Sequence, residues 1–145
     1  MDLEFFIHVS LAGLLATYLH LVGALWADRF GLPRIDLPRG MTQLSFGESF
    51  EGPAPYGWGI AVIHVNGVAF ALLYATVIAQ YLPGEPYIKG LIFGGILYLG
   101  AMFIFVPVFL RDGLFGSKGH PMGWLTALII HLVYGLIVGW LSPTL

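Results

Sequence analysis

The sequence contains no cysteine. That absence excludes disulfides, thiolate metal ligands and cysteine nucleophiles, and it leaves the redox compartment undetermined. Charged residues are also scarce, at 10% of the 145 residues, whereas a soluble domain carries about 25%. Because so few charges cannot cover a surface in water, most of the surface is predicted to face lipid, and the mean hydropathy of +0.86 agrees. The net charge of -2 argues against a nucleic-acid partner.

The motifs of common catalytic sites are missing as well. The sequence has no HExxH motif, no phosphate-cradling glycine loop and no Ser/His/Asp pattern. Its apolar stretches hold no carboxylate pair. Glu48 and Glu51 lie three residues apart in the longest polar segment, where solvated charge is the expected role. The sequence therefore favours a protein that is not an enzyme.

Four apolar stretches are each long enough to cross a bilayer core, which needs about 20 residues. They cover residues 5–27, 58–81, 87–110 and 122–142 approximately. The acidic N-terminus lacks the basic region of a signal peptide, and no small-residue cleavage site follows, so the first stretch is expected to be retained. These features predict one all-α domain over residues 1–145, an integral membrane bundle of four transmembrane helices in contact with the lipid bilayer.

The spans match each other in pairs. The segments Gly57–Ala75 and Met122–Leu141 both contain Gly-Trp near the start and a histidine about two turns later. Gly13-Leu14 of the first span aligns with Gly90-Leu91 of the third. The pattern indicates an internal repeat, with two tandem helical hairpins related by an axis along the membrane normal.

Small residues recur along one face of several spans, where they let another helix backbone approach closely in lipid. The residues expected to form such GxxxG-type packing are Gly67, Ala71, Ala75, Gly90, Gly94, Gly135 and Gly139. Ile137 is expected to face lipid instead. Three spans also carry a second small face, formed by Ala12 and Ala16, by Ala61 and Ala69, and by Gly95 and Gly100. Surplus faces suggest further helices, supplied by a second copy or by another membrane subunit.

The first loop, residues 28–56, is rich in proline, glycine and arginine. Its tandem Leu32-Pro33-Arg34 and Leu37-Pro38-Arg39 favours an irregular surface loop, because two prolines so close disfavour a helix. Alternatively, its apolar residues dip into the membrane interface while arginines meet phosphates. Five of the six Lys and Arg residues lie in the first and third loops, which predicts that both loops are cytoplasmic and both termini extracytoplasmic. The predicted interface anchors are Trp26, Trp58, Trp124, Arg29, Arg34 and Arg39.

Three histidines share one predicted depth. His20 lies six residues before Trp26, His64 lies six residues after Trp58, and His131 lies seven residues after Trp124. At 1.5 Å of rise per residue, each imidazole is expected roughly 9–10 Å inside the membrane from the same surface. The sequence thus predicts one inward-facing histidine layer.

Several functions fit such a layer, and the sequence leaves them open. Neutral imidazoles can hydrogen-bond neighbouring helices, with Thr17, Asn66, Tyr98, Thr126 and Tyr134 as available partners. His64 and His131 can instead ligate a b-type haem or a chlorophyll. His20, His64 and His131 together can hold copper or zinc, although no carboxylate in the spans orients them. A proton or solute path of a small transporter or channel is the last alternative, although such paths usually contain a charged residue deep in a span.

Gly31-Leu32-Pro33 at the entry to the first loop, the glycine-rich spans and the histidine of the second span carry a resemblance. The chain resembles small four-helix bacterial inner-membrane families of unknown function over most of its length. The resemblance implies an inner (plasma) membrane location and no particular activity or site. The function favoured here is a non-catalytic structural or accessory subunit of a larger membrane complex, or of a homo-oligomer.

Overall fold

The computed structural model describes residues 2–47 and 55–145, and the regular structure of these two ranges is helical. The α-helices are α1 (Leu3–Leu25), α2 (Leu37–Phe46), α3 (Tyr56–Leu73), α4 (Pro86–Gly100) and α5 (Gly123–Leu141). Two of them continue as π-helix, α3 through Tyr74–Ile78 and α4 through Ala101–Phe109. Short 3-10 turns cover Ala27–Phe30, Ala79–Tyr81 and Leu114–Gly116. Glu48 and Glu51 lie outside the described residues.

Four helical segments are long and apolar enough to cross a membrane. They are Leu3–Leu25, Tyr56–Tyr81, Pro86–Phe109 and Gly123–Leu141. Their ends agree with the predicted spans to within two residues, so the prediction of four candidate transmembrane helices is confirmed. The agreement has a simple cause, because an uncharged run of about 20 apolar residues satisfies its backbone in lipid only as a helix.

The four candidate spans pack as an up-and-down bundle. Helix α1 lies between α3 and α5, and α5 packs in turn against α4. The ring of Tyr74, just after α3, contacts the ring of Phe93 on α4 with centroids 5.0 Å apart, which links the second and third spans. The buried core around this contact consists of Val9, Ala16, Ala71, Tyr74, Ala75, Ala79, Phe93, Tyr134 and Val138. Ile137, expected to face lipid, is partly buried and packs against this core.

Helices α4 and α5 cross at a point where only glycine fits. A Cβ atom added at Gly139 would lie 2.5 Å from the Cα of Gly90, and one added at Gly135 would lie 2.7 Å from the Cα of Gly94. The crossing of α1 and α3 is similarly close, because a Cβ at Gly13 would lie 2.8 Å from the Cβ of Ala71. The glycine and alanine residues expected at helix contacts, Gly67, Ala71, Ala75, Gly90, Gly94, Gly135 and Gly139, are all buried.

The first loop is not irregular along its length, and that expectation was wrong for residues 37–46. Helix α2 forms there because Pro38 occupies its first turn, where the missing amide has no intrahelical partner to lose. Asp36 caps the helix, and its Oδ1 accepts a hydrogen bond of 3.2 Å from the backbone N–H of Arg39. Two nearby prolines are therefore compatible with a helix when one precedes it and the other begins it.

Helix α2 is fixed against the start of α3. The hydroxyl of Tyr56 donates to Oδ1 of Asp36 at 2.7 Å, and the indole Nε1–H of Trp58 donates to the Ser45 hydroxyl at 3.0 Å. The backbone of Pro38 leaves no room for a side chain at Gly59. Leu44 and Phe46 remain exposed on α2, and the Phe46 ring contacts the Trp58 ring with centroids 6.1 Å apart. This amphipathic helix thus lies at the end of the bundle where α1 ends and α3 and α5 begin.

Pro107 lies inside the π-helix Ala101–Phe109. Proline has no N–H to donate, and a π turn redistributes the neighbouring backbone hydrogen bonds. The segment stays helical to Phe109 in spite of the proline.

Candidate functional site: the histidine layer

Two of the three predicted layer histidines touch. The imidazoles of His20 on α1 and His131 on α5 have centroids 5.0 Å apart and an interplanar angle of 80°. Both rings are partly buried between the helices. This edge-to-face contact joins α1 to α5 in the half of the bundle nearer the end that carries Trp26, Trp58 and Trp124, the tryptophan end.

Each layer histidine has its Nδ1 atom at hydrogen-bond distance from a backbone carbonyl oxygen. Nδ1 of His20 lies 3.1 Å from the oxygen of Ile130 on α5. The other two bond within their own helices, His64 to Ile60 at 2.9 Å and His131 to Ala127 at 2.7 Å. A carbonyl only accepts, so a neutral ring donates through Nδ1–H and keeps its Nε2 lone pair. A hydrogen bond to a neighbouring helix, expected for each ring, is present for His20 only.

Tyr134 completes the cluster, one turn after His131. Its ring lies edge-on to His20 with centroids 6.2 Å apart, and its hydroxyl donates to the carbonyl oxygen of Gly67 at 2.6 Å. Tyr98 of α4 lies beside His131, with centroids 6.1 Å apart. The sequence suggested both tyrosines as hydrogen-bond partners of histidine, whereas the Tyr134 hydroxyl bonds backbone. Tyr134 lies three residues after His131, and Tyr98 lies four residues after Gly94. This helical spacing was the sequence signal for the faces on which the two tyrosines lie.

The bond from Tyr134 to Gly67 also fixes the relative height of α3 and α5. Both helices run antiparallel to α1, so they run parallel to each other. His64 precedes Gly67 by three positions, as His131 precedes Tyr134, so the bond connects the α3 turn that follows His64 with the α5 turn that follows His131. Two other suggested partners of the histidines bond the backbone instead. The Thr17 hydroxyl donates to the carbonyl oxygen of Gly13, and the Thr126 hydroxyl donates to that of Pro33.

Among the described residues, no three His, Cys, Asp or Glu side chains converge closely enough to hold a metal ion. The structure therefore gives the predicted three-histidine metal site no geometric support. Chemically, the cluster can exchange hydrogen bonds, and the Nε2 lone pair of a histidine can accept a hydrogen bond or bind a metal. Among the described residues, the layer contains no carboxylate or guanidinium to carry charge.

The predicted interface anchors gather at one end of the bundle. Trp26, Trp58 and Trp124 are all exposed there, and the guanidinium of Arg29 lies 4.8 Å from the ring centroid of Trp26. Two further guanidinium groups flank Asp36, with Arg34 at 3.8 Å and Arg39 at 3.9 Å from its Oδ2. Trp and Arg at one level are typical of a membrane–water boundary.

The fold and the site define the class of this protein, which is a helical bundle with four candidate transmembrane helices around an uncharged aromatic cluster. Residues 6–145 match the model of a family of unknown function, DUF6789, and the chain belongs to this family. No curated protein and no solved structure matches the chain.

Proposed function

We propose that this protein is a non-catalytic structural or accessory subunit of a larger membrane assembly. The observation that supports the proposal is that α3 and α4 present small residues which their own bundle does not cover. A Cβ atom added at Gly95 or Gly100 would meet no heavy atom within 4 Å. Ala61 and Ala69 are exposed on α3. In lipid, small residues on a helix surface favour association with another helix, because backbones can approach closely.

Among the three second small faces predicted from the sequence, only those of α3 and α4 are open in the described residues. The second small face of α1, formed by Ala12 and Ala16, is 4% and 0% exposed and is already filled by the bundle. Surplus small residues on α1 are thus explained within one chain, while those on α3 and α4 are not. The partner helices of the assembly are therefore proposed to lie beside α3 and α4.

The membrane placement belongs to the same proposal. The tryptophan and arginine end, with α2 lying across it, is placed at the cytoplasmic surface of an inner (plasma) membrane. The other end is placed outside, where the backbone N–H of Leu145 donates to the carbonyl oxygen of Ala75 at 3.1 Å. The Arg and Lys distribution supports this orientation.

Two adjacent glycines test the proposal. Gly95→Leu should leave the thermal unfolding of the chain unchanged, because its side chain enters open space, and should remove the chain from its complex in native gels of mildly solubilised membranes. Gly94→Leu should unfold the bundle, because a Cβ there would lie 3.2 Å from the Cα of Leu132 with the His131 carbonyl still closer. A chain that migrates as a free monomer before any substitution would contradict the proposal.

A second candidate function is binding of a b-type haem or a chlorophyll through His64 and His131. Each ring bonds a carbonyl oxygen through Nδ1, which leaves the Nε2 lone pair for a metal centre, and this favours it. The absorption spectrum of protein purified from its native membrane decides between the two candidates, since only a tetrapyrrole gives a Soret band.

A further inference from the structure

The exposed side of α3 carries a shallow groove in the first half of its span. It is lined by Trp58, Ala61, Val62, Val65, Asn66 and Ala69. Apart from Asn66 and the indole N–H of Trp58, which Ser45 satisfies, this lining is apolar. The groove lies on the side of α3 opposite to Gly67 and Ala71, which pack against α1.

Asn66 differs from most of the polar side chains of the spans, because it is both exposed and unpaired within the described residues. It is the eleventh residue of a 26-residue span, so it lies near the centre of the hydrocarbon core. Thr17, Thr76 and Tyr134 each donate to a backbone carbonyl oxygen. Asn66 is exposed, and its amide has no hydrogen-bond partner within residues 2–47 and 55–145. Hydrocarbon offers none, so an unpaired amide at this depth is costly.

We propose that the groove receives α3 of a second copy of this chain, with the two Asn66 amides paired across a two-fold axis along the membrane normal. A carboxamide carries both donors and an acceptor, so it is complementary to itself. Two copies inserted in the same orientation place Asn66 at the same depth, which an isologous contact requires. This inference rests on the proposed function and names the partner at the α3 face.

The spacing along α3 suits such a contact. Val62, Asn66, Ala69 and Leu73 are separated by four, three and four residues, the spacing of a left-handed helix pair. A single asparagine in such a seam fixes register and the number of helices, because shifted pairings leave the amide unsatisfied. Ala69 keeps the two backbones close on one side of the amide. Polar residues of this kind join transmembrane helices by hydrogen bonds.

Because the chain has no cysteine, single-cysteine crosslinking can test the contact in the full protein in its native membrane. Ala69→Cys should form disulfide-linked dimers under mild oxidation, since residues near a two-fold axis meet their own copies. The matched control is Leu15→Cys, which is exposed on α1 at a comparable distance from the same end of the bundle. Equal crosslinking at the two positions would overturn the inference.

The amide is tested in the Ala69→Cys background. Asn66→Leu should lower the dimer yield about tenfold, because both paired hydrogen bonds are lost, and Asn66→Gln should restore part of it. Gln80→Leu is the control, since Gln80 is also exposed but donates to its own helix at the carbonyl oxygen of Val77. Thermal unfolding of each variant verifies that the bundle is intact. A dimer yield that does not respond to Asn66→Leu would overturn the inference.

The two proposals fail differently. If the chain co-purifies with another membrane protein and differently tagged copies never co-purify, the second-copy inference is overturned and the subunit proposal stands. If the chain is monomeric in native membranes, both are overturned. If tagged copies co-purify and the Ala69→Cys crosslink depends on Asn66, both are supported.

Discussion

The hydroxyl of Tyr134 on α5 donates a 2.6 Å hydrogen bond to the carbonyl oxygen of Gly67 on α3. A carbonyl in a helix can accept a second hydrogen bond beside its intrahelical one, and a residue without a side chain leaves that oxygen accessible. The bond joins two helices that are both packed against α1.

Tyr134→Phe should therefore destabilise the bundle by about 1 kcal/mol, the size of an interhelical hydrogen bond in a membrane protein. Tyr74→Phe is the matched change. Tyr74 is also buried, but within the described residues its hydroxyl has no partner, so removing it should be neutral or stabilising. The measurement is unfolding in mixed micelles, and an equal loss in both variants would contradict the assignment.

Gly135→Ala should lower the stability of the α4–α5 pair strongly, because the new Cβ would meet the backbone of Gly90 and Gly94 and separate the helices. Gly123→Ala in the same helix is the control, since a Cβ there meets nothing within 4 Å. Thermal unfolding of the two variants distinguishes close helix packing from a general effect of glycine on helix propensity. Similar unfolding temperatures would show that the crossing is not tight.

Replacing His20 by Leu should cost roughly 1–2 kcal/mol through the lost bond to α5, and replacing His131 by Leu should cost less, because its hydrogen bond lies within its own helix. Because the rings touch, the double variant should be less destabilised than the sum of the two single variants. His64→Leu combined with His20→Leu is the comparison pair, and additive costs are expected there. If the stability losses of the His20 and His131 variants simply add in the double variant, the contact between the two rings does not stabilise the bundle.

The same three histidine substitutions also test whether the layer binds a haem or a metal ion. If the layer is structural, the purified protein shows no Soret band and none of the three substitutions alters its visible spectrum. If His64 and His131 hold a haem, either substitution abolishes the band while His20→Leu has a smaller effect. Bound copper or zinc, lost in all three variants, would restore the three-histidine metal site as an explanation.

Asp36→Ala should loosen α2 at its first turn. The carboxylate accepts hydrogen bonds from the Arg39 backbone and the Tyr56 hydroxyl, and loss of a helix cap costs about 1 kcal/mol. Hydrogen exchange over residues 37–46 should speed up, while exchange in α1 and α5 stays as it was. Asp28→Ala is a control, since Asp28 accepts a bond from its neighbour Arg29 outside α2. Unchanged exchange in α2 would show that other contacts hold it.

The proposed orientation is tested with reporter fusions. A fusion after Leu145 should report the extracytoplasmic side, and an insertion between Gly31 and Asp36 should report the cytoplasm. Replacing Arg111 and Lys118 together should weaken this preference, because Arg and Lys near span ends set topology. A C-terminal fusion that reports the cytoplasm would contradict the orientation.

The number and bounds of the candidate spans could be predicted from the sequence, because span length and lack of charge are local properties that lipid makes decisive. The small residues at the helix crossings were visible for a similar reason, since a periodicity of four marks one helix face. The common depth of the three histidines stays a prediction from their spacing to three tryptophans. Helix α2 was missed because proline in a first turn and proline in a loop look alike in sequence.

The tertiary structure alone decided which of these faces are used. Ala12 and Ala16 resemble Ala61 and Ala69 in sequence, yet the first pair is filled by the bundle and the second is exposed. In the same way, His20 pairs with His131 and bonds Ile130, while His64 bonds only its own helix. The physical reason is that periodicity defines faces on a helix, whereas the rotation of each helix against its neighbours determines which face is buried, and that rotation depends on the packing of all four helices at once.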